Sequence, residues 1–378
     1  MPIRHTWSRA LPSNCSLDAV RFREEYIELR LYCADSMVLY TVNFISGKVD
    51  VRRIGEPELR GVTERKREFK TLICFKGYGN RAWTKIYRGL NTKMVCRKDV
   101  CVIANLKPNY ALDINVVTGN GDVLESVTVG GVYHFEVVGS DNLIAVTTRG
   151  IRADSTITML IDGSTGSVID HITGFGGSAV SSLDYVFVYG EHEGKIITHG
   201  YNNDGEEIIP GGEEGLPVLP PFNPIPHKVP GSEIFEVKQV VLMGKNFLKL
   251  YNPEDYVIEY TLLKPPFTRG VFNINVNNYT AAVLAQIMGM PFIINYDFKG
   301  RVVWISHIIR DTIFAIISGD IVALYVDYGK MRETKIYSVK DKTLVLEESF
   351  GPNVLPLLVR RSNILLTDGR VVASYMME

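Results

Sequence analysis

Apolar and polar positions alternate through this chain in short runs. Segments rich in Val, Ile, Tyr, Phe and Thr recur, each bounded by Gly, Asn or Asp, which is the pattern of strands joined by tight turns. Val168, Asp170 and Ile172 mark one face of such a run, since side chains on a strand repeat every second residue. Helical periodicity is nearly absent. Its best candidate is Leu17 to Leu31, which reads equally well as a turn followed by a strand.

The runs are organised as a repeat. Two hairpin units align well, one from Val116 to Gly131 and the other from Ile161 to Gly177. Each carries Thr-Gly in the turn, then alternating apolar residues, then a Gly-Gly exit. Weaker copies begin at Phe44, Tyr201, Tyr251, Tyr296 and Tyr337. The spacing of the later turns, roughly 39 to 50 residues, is that of four-stranded propeller blades. Tyr133 to Val138, Leu143 to Thr148, Thr156 to Ile161 and Ser167 to Ile172 supply the four strands of the clearest one. The pattern therefore predicts an all-β fold. It is a β-propeller of seven or eight four-stranded antiparallel blades within one domain spanning 1–378, with the ring closed by N- and C-terminal strands sharing a blade. Two stretches break the rhythm. Residues 61–89 are an irregular blade or an insertion. Residues 210–231 hold seven of the 17 prolines and read as a long inter-blade connection or an extended arm.

The hairpin units resemble the repeats of the quinoprotein (PQQ-type) and WD40-like propeller superfamily. Asp162-Gly163-Ser164-Thr165-Gly166-Ser167-Val168 matches the turn, and Gly300-Arg301-Val302-Val303-Trp304 matches the Trp-bearing strand. The resemblance implies a propeller scaffold. It does not extend to the quinone site of that superfamily, which uses an adjacent Cys–Cys pair, a Trp platform and calcium. This chain has no adjacent cysteines and only Trp7, Trp83 and Trp304. No cofactor is expected.

Composition narrows the function classes. A formal net charge of −1 gives no field to hold nucleic-acid phosphates. The longest apolar runs, Ile313 to Ile317 and Ile321 to Val326, have strand length, so no membrane span is expected. The N-terminus lacks the apolar stretch of a secretory signal. With an odd count of five cysteines, this predicts reduced thiols in a cytoplasmic setting. Glutamine occurs only at Gln239 and Gln286, a depletion found in heat-adapted proteins.

Candidate chemistry is sparse. Cys96 and Cys101 are the closest cysteines in sequence, but no second Cys or His pair accompanies them, so buried free thiols are expected rather than a metal or redox pair. Glu191-His192-Glu193 with His199, Asp204, Glu206 and Glu207 is the densest His/carboxylate group. It is read as a solvated turn, with a rim site for a metal or for acid–base work as the alternative. His134 and His171 sit on strands of one blade and are read as structural, while Arg149, Arg152 and Arg360-Arg361 flank strands. The Gly-rich pieces lack the Lys-Ser/Thr of a phosphate loop, and no Gly-x-Ser-x-Gly occurs. Catalytic and metal-binding residues are therefore expected to be none. Residues 48–107 are basic within a neutral chain, and Arg65, Lys66 and Arg67 form the sharpest cluster. Together with Pro220, Pro221 and Phe222 of the proline-rich segment they are the expected contact residues. The function expected is a non-enzymatic scaffold for a protein partner. The alternatives are an enzyme or ligand binder at the central channel, and a viral or cell-surface structural protein.

Overall fold

The computed structural model describes residues 2–23, 25–66, 69–219, 240–265, 268–276, 280–297, 299–329, 331–360 and 362–378. Among them there is no α-helix. Eight four-stranded antiparallel sheets and one three-stranded sheet follow one another along the chain. We number them by their position: sheet 1 (15–55), sheet 2 (59–87), sheet 3 (91–129), sheet 4 (132–173), sheet 5 (178–214), sheet 6 (216–263), sheet 7 (268–307), sheet 8 (312–350) and sheet 9 (355–377). The chain is a β-propeller. The region expected to be irregular is the three-stranded meander of sheet 2. The stretch with partial helical character is the first hairpin of sheet 1, strands Cys15–Phe22 and Tyr26–Cys33, with a bulge between Leu17 and Ala19. That extra residue explains why the alternation there looked helical.

The N-terminal strand Ile3–Ala10 pairs with the C-terminal strand Val371–Met377 and becomes the fourth strand of sheet 9. Buried apolar clusters join neighbouring sheets. Leu72 and Trp83 of sheet 2 meet Ile103 and Val117 of sheet 3. Val102 and Ile114 meet Phe135 and Val146 of sheet 4. Further clusters link sheets 4 to 5, 5 to 6, 6 to 7 and 7 to 8. One large cluster then unites Tyr325 of sheet 8, Leu357 and Leu366 of sheet 9, and Leu17 and Leu29 of sheet 1. From sheet 2 through sheet 9 to sheet 1, each sheet thus hides its neighbour's apolar face from water, which is the main stabilising term of such a stack.

The repeated turn has a local cause. Asp162 closes its strand and its Oδ1 accepts from the backbone of Ser164 and Thr165, at 2.9 and 2.7 Å. Asp297 does the same for Lys299 and Arg301, and Asn43, Asn202 and Asn252 repeat it. These are Asx turns, in which a short polar side chain substitutes for a backbone acceptor. Two of the tryptophans pack on such hairpins. Trp7 covers the turn of sheet 1 at Gly47, and Trp83 covers the turn of sheet 3 at Gly121 while its Nε1 donates to Thr118 O at 3.2 Å.

Candidate functional site

Where sheets 1 and 2 approach sheets 4 and 5, charged side chains converge. Asp18, on the first strand of sheet 1, is fully buried. It accepts from Arg30 Nε at 2.6 Å and from Arg60 Nη2 at 3.1 Å. The two other nitrogens of Arg30 grip both oxygens of Asp141, in the first hairpin of sheet 4, at 2.7 and 2.6 Å. Arg60 Nη1 donates to Glu58 at 3.1 Å, and Lys98 Nζ reaches the other Glu58 oxygen at 2.7 Å. Arg21 donates to Asp184 of sheet 5 at 2.7 Å and lies 3.6 Å from Asp141. Four carboxylates (Asp18, Glu58, Asp141, Asp184) meet four cations (Arg21, Arg30, Arg60, Lys98), so the formal charge is balanced.

Tyr32 completes the joint. Its hydroxyl donates to Glu58 O at 2.8 Å and accepts from Gly77 N at 2.7 Å, and Arg60 lies 5.2 Å from its ring centre. Burial pushes the Tyr32 phenol up to about 12. Burial would also raise Asp141, but the charge and paired hydrogen bonds of Arg30 outweigh it and hold the carboxyl below its usual range. Burial opposes the charged form of Arg30, yet Asp18 and Asp141 outweigh it and raise that group well above its ordinary value. A guanidinium held in this state neither takes nor gives a proton at neutral pH. The network is therefore a fastener of sheets rather than an acid–base pair.

Sequence reasoning missed this set because its members are single charges in different repeats. A signal was present: Asp18 and Arg30 interrupt otherwise apolar strand segments, Ser16 to Val20 and Leu29 to Leu31, and a charge in a buried strand needs a partner.

The His/carboxylate group separates. His199 Nδ1 and Glu207 Oε1 lie 2.6 Å apart, with Phe175 edge-on to the imidazole at 4.6 Å. Glu191 lies opposite Ile196 across the hairpin, while His199 lies opposite Val188. Three positions along a strand is about 10 Å, so they do not share a site. Glu191 instead faces Arg149 at 3.8 Å. That pair, with Tyr133, His134 and Tyr189, lines an open cleft of about 450 Å³. His134 lies 3.6 Å from Glu136. Arg152 pairs with Asp154 at 3.1 Å, and Arg360 packs 5.3 Å from the ring centre of Phe44; Arg361 lies outside the described residues. Arg65 and Lys66 end the first strand of sheet 2, Leu59–Lys66. Arg67, Pro220, Pro221 and Phe222 lie outside the described residues, as does His227.

The cysteines differ from expectation. Cys15 is bonded to Cys33 and Cys96 to Cys101, leaving Cys74 as the free, buried thiol. In each bonded pair the two residues are directly opposite on adjacent antiparallel strands. A hairpin turn at Lys98 and Asp99 separates Cys96 from Cys101 and brings the two sulfurs together across the strands. Reduced thiols are thus replaced by two cross-strand disulfides.

No protein-family model and no curated protein sequence matches this chain. Solved propellers do match. BamB from Moraxella catarrhalis is similar at 10% identity, 99% of this chain, 100% of that chain and a TM-score of 0.39. The C-terminal WD40 domain of Sif2 is similar at 11% identity, 99% and 100% coverage and a TM-score of 0.38. A eukaryotic initiation factor is similar at 11% identity, 90% and 89% coverage and a TM-score of 0.43. The propeller assignment rests on the sheet topology described above.

Proposed function

We propose that this protein is a non-enzymatic propeller that carries a protein partner on its outer rim. The observation behind this reading is the exposure of large apolar side chains on the last strands of successive sheets. In sheet 6 these are Val257, Ile258 and Leu263, in sheet 7 Val302, Val303 and Ile305, and in sheet 8 Val345 and Leu346. Each lies on a strand paired along one edge only. Such an edge offers unpaired backbone groups together with apolar surface, the combination that accepts an extended segment of another protein. The balanced ion network supports the same reading, because it joins residues of sheets 1 to 5. The partner is a protein; the near-zero net charge argues against nucleic acid. We place the chain in the cytoplasm of a heat-adapted cell, a setting in which disulfides persist inside cells.

The test is native co-purification of the tagged chain from its source, in parallel with Val303→Lys and Ile305→Lys variants. The expected result is a stoichiometric protein that survives moderate salt with the native chain and is lost from both variants. Retention by both variants, or no bound protein at all, overturns the reading.

A further inference from the structure

Three cysteines from three strands meet inside the apolar joint between sheets 2 and 3. Cys74 is on Phe69–Lys76, Cys96 on Asn91–Arg97 and Cys101 on Val100–Leu106. All are buried, among Leu59, Leu72, Trp83 and Ile103. Cys74 Sγ lies 3.6 Å from Cys101 Sγ, and the three sulfurs lie within 4.8 Å of one another.

Two chemistries could use this triangle. In thiol–disulfide exchange the attacking sulfur approaches in line with the bond it breaks. With a disulfide bond of about 2.0 Å, that approach to Cys101 would set Cys74 about 5.6 Å from Cys96, beyond the observed 4.8 Å limit. A bound ion with metal–sulfur bonds of about 2.3 Å separates its sulfur ligands by roughly 3.8 to 4.0 Å. Cys74 and Cys101, 3.6 Å apart, stand near that spacing already, and reduction frees Cys96 and Cys101 to move apart to it from their bonded positions.

Met94 packs beside the cluster. A Cβ on Gly61 would stand 2.7 Å from Met94 Cε and 2.9 Å from Cys96 Sγ, so the end of the Met94 side chain and the Cys96 sulfur both rest against the Gly61 backbone. Only a residue without a side chain allows that close approach. Thiolate and thioether donors without nitrogen or oxygen are the set that soft ions prefer.

We infer that Cys74, Cys96 and Cys101, once the Cys96–Cys101 disulfide is reduced, form a buried site for a soft monovalent ion of the copper(I) class, with Met94 as thioether ligand. A dithiol supplies the reduction: it gives two electrons and two protons to the Cys96–Cys101 bond and leaves as its own cyclic disulfide. The ion then displaces protons from the cysteine thiols, which are released to solvent. The joint between sheets 2 and 3 would exist in two forms, one closed by a disulfide and one closed by a metal.

The test uses the full chain carrying Cys15→Ser and Cys33→Ser, so that its only thiols are those of the cluster. It is reduced with dithiothreitol, freed of reductant without oxygen, and offered copper(I) as its bathocuproine disulfonate complex. One equivalent of copper should transfer to the reduced protein and none to the oxidised protein. Cys74→Ser should weaken retention at least about tenfold. Met94→Leu should weaken copper(I) retention and leave zinc(II) retention unchanged. If the double serine background does not fold, the native chain and its Cys74→Ser variant should differ by one equivalent. No transfer, equal retention without Cys74, or loss of the near-ultraviolet circular dichroism of the reduced protein in the presence of copper overturns the inference.

Discussion

Arg30 holds Asp141 through both guanidinium Nη atoms, at 2.7 and 2.6 Å, across 111 residues of chain. The arginine belongs to the second strand of sheet 1 and the aspartate to the first hairpin of sheet 4, so this pair ties together parts of the propeller that the chain separates by two sheets. Planar bidentate pairing with few exposed atoms is the geometry in which an ion pair is strongest.

Removing one side of that pair should be costly. Asp141→Asn leaves the Arg30 charge with Asp18 alone in a site that is nearly dry, and breaking a buried pair in this way costs about 3–5 kcal/mol. Urea unfolding should show the midpoint falling with an unchanged slope. The double variant Arg30→Met, Asp141→Leu should recover part of the loss, because it leaves no unpaired charge between them.

Acid should destabilise the native protein through the same carboxylate. Asp141 titrates below its ordinary value in the folded chain, so its contribution is complete above the unfolded value, about 3.9, and is lost as pH falls through the lower folded value. Urea midpoints should be flat from neutral pH to about 5 and fall below about 4. Asp141→Asn should flatten that acid limb, and an unchanged limb would remove Asp141 from the account.

Gly47 seats Trp7 where the N-terminal strand is held. It has φ +66°, and a Cβ there would lie 2.7 Å from the indole. Gly47→Val combines backbone strain with a clash, with an expected cost of about 1–3 kcal/mol. Amide exchange across Ile3–Ala10 should quicken more than elsewhere, since that strand completes sheet 9.

The Cys15–Cys33 bond closes a separation of 18 residues in sheet 1. Its removal in the Cys15→Ser, Cys33→Ser double variant should lower stability by about 3 kcal/mol. Calorimetry should show a lower melting temperature that dithiothreitol lowers less than it does for the native chain.

Local chemistry was legible in the chain. The turns at Asp162 and Asp297 announce themselves because an Asx turn is made by residues two to four apart, and the strands between them because burial of one face imposes a period of two. The class of fold follows, since repeated four-stranded units with apolar faces must stack. The sharing of a blade by N- and C-terminal strands was legible too, and Ile3–Ala10 is the fourth strand of sheet 9; the three-stranded sheet 2 was harder to read, because its unit is one strand short of the repeat.

The tertiary structure alone decided which distant side chains meet. Asp18, Arg60 and Asp141 are ordinary residues of three separate repeats, and Cys74 becomes part of a cluster only when sheet 2 packs on sheet 3. Sequence spacing encodes neighbours within a hairpin because the hairpin's geometry is set by its own few bonds. It does not encode the rotation of one sheet against the next, which is settled by the packing of whole faces, and the ionic joint and the sulfur triangle are products of that packing.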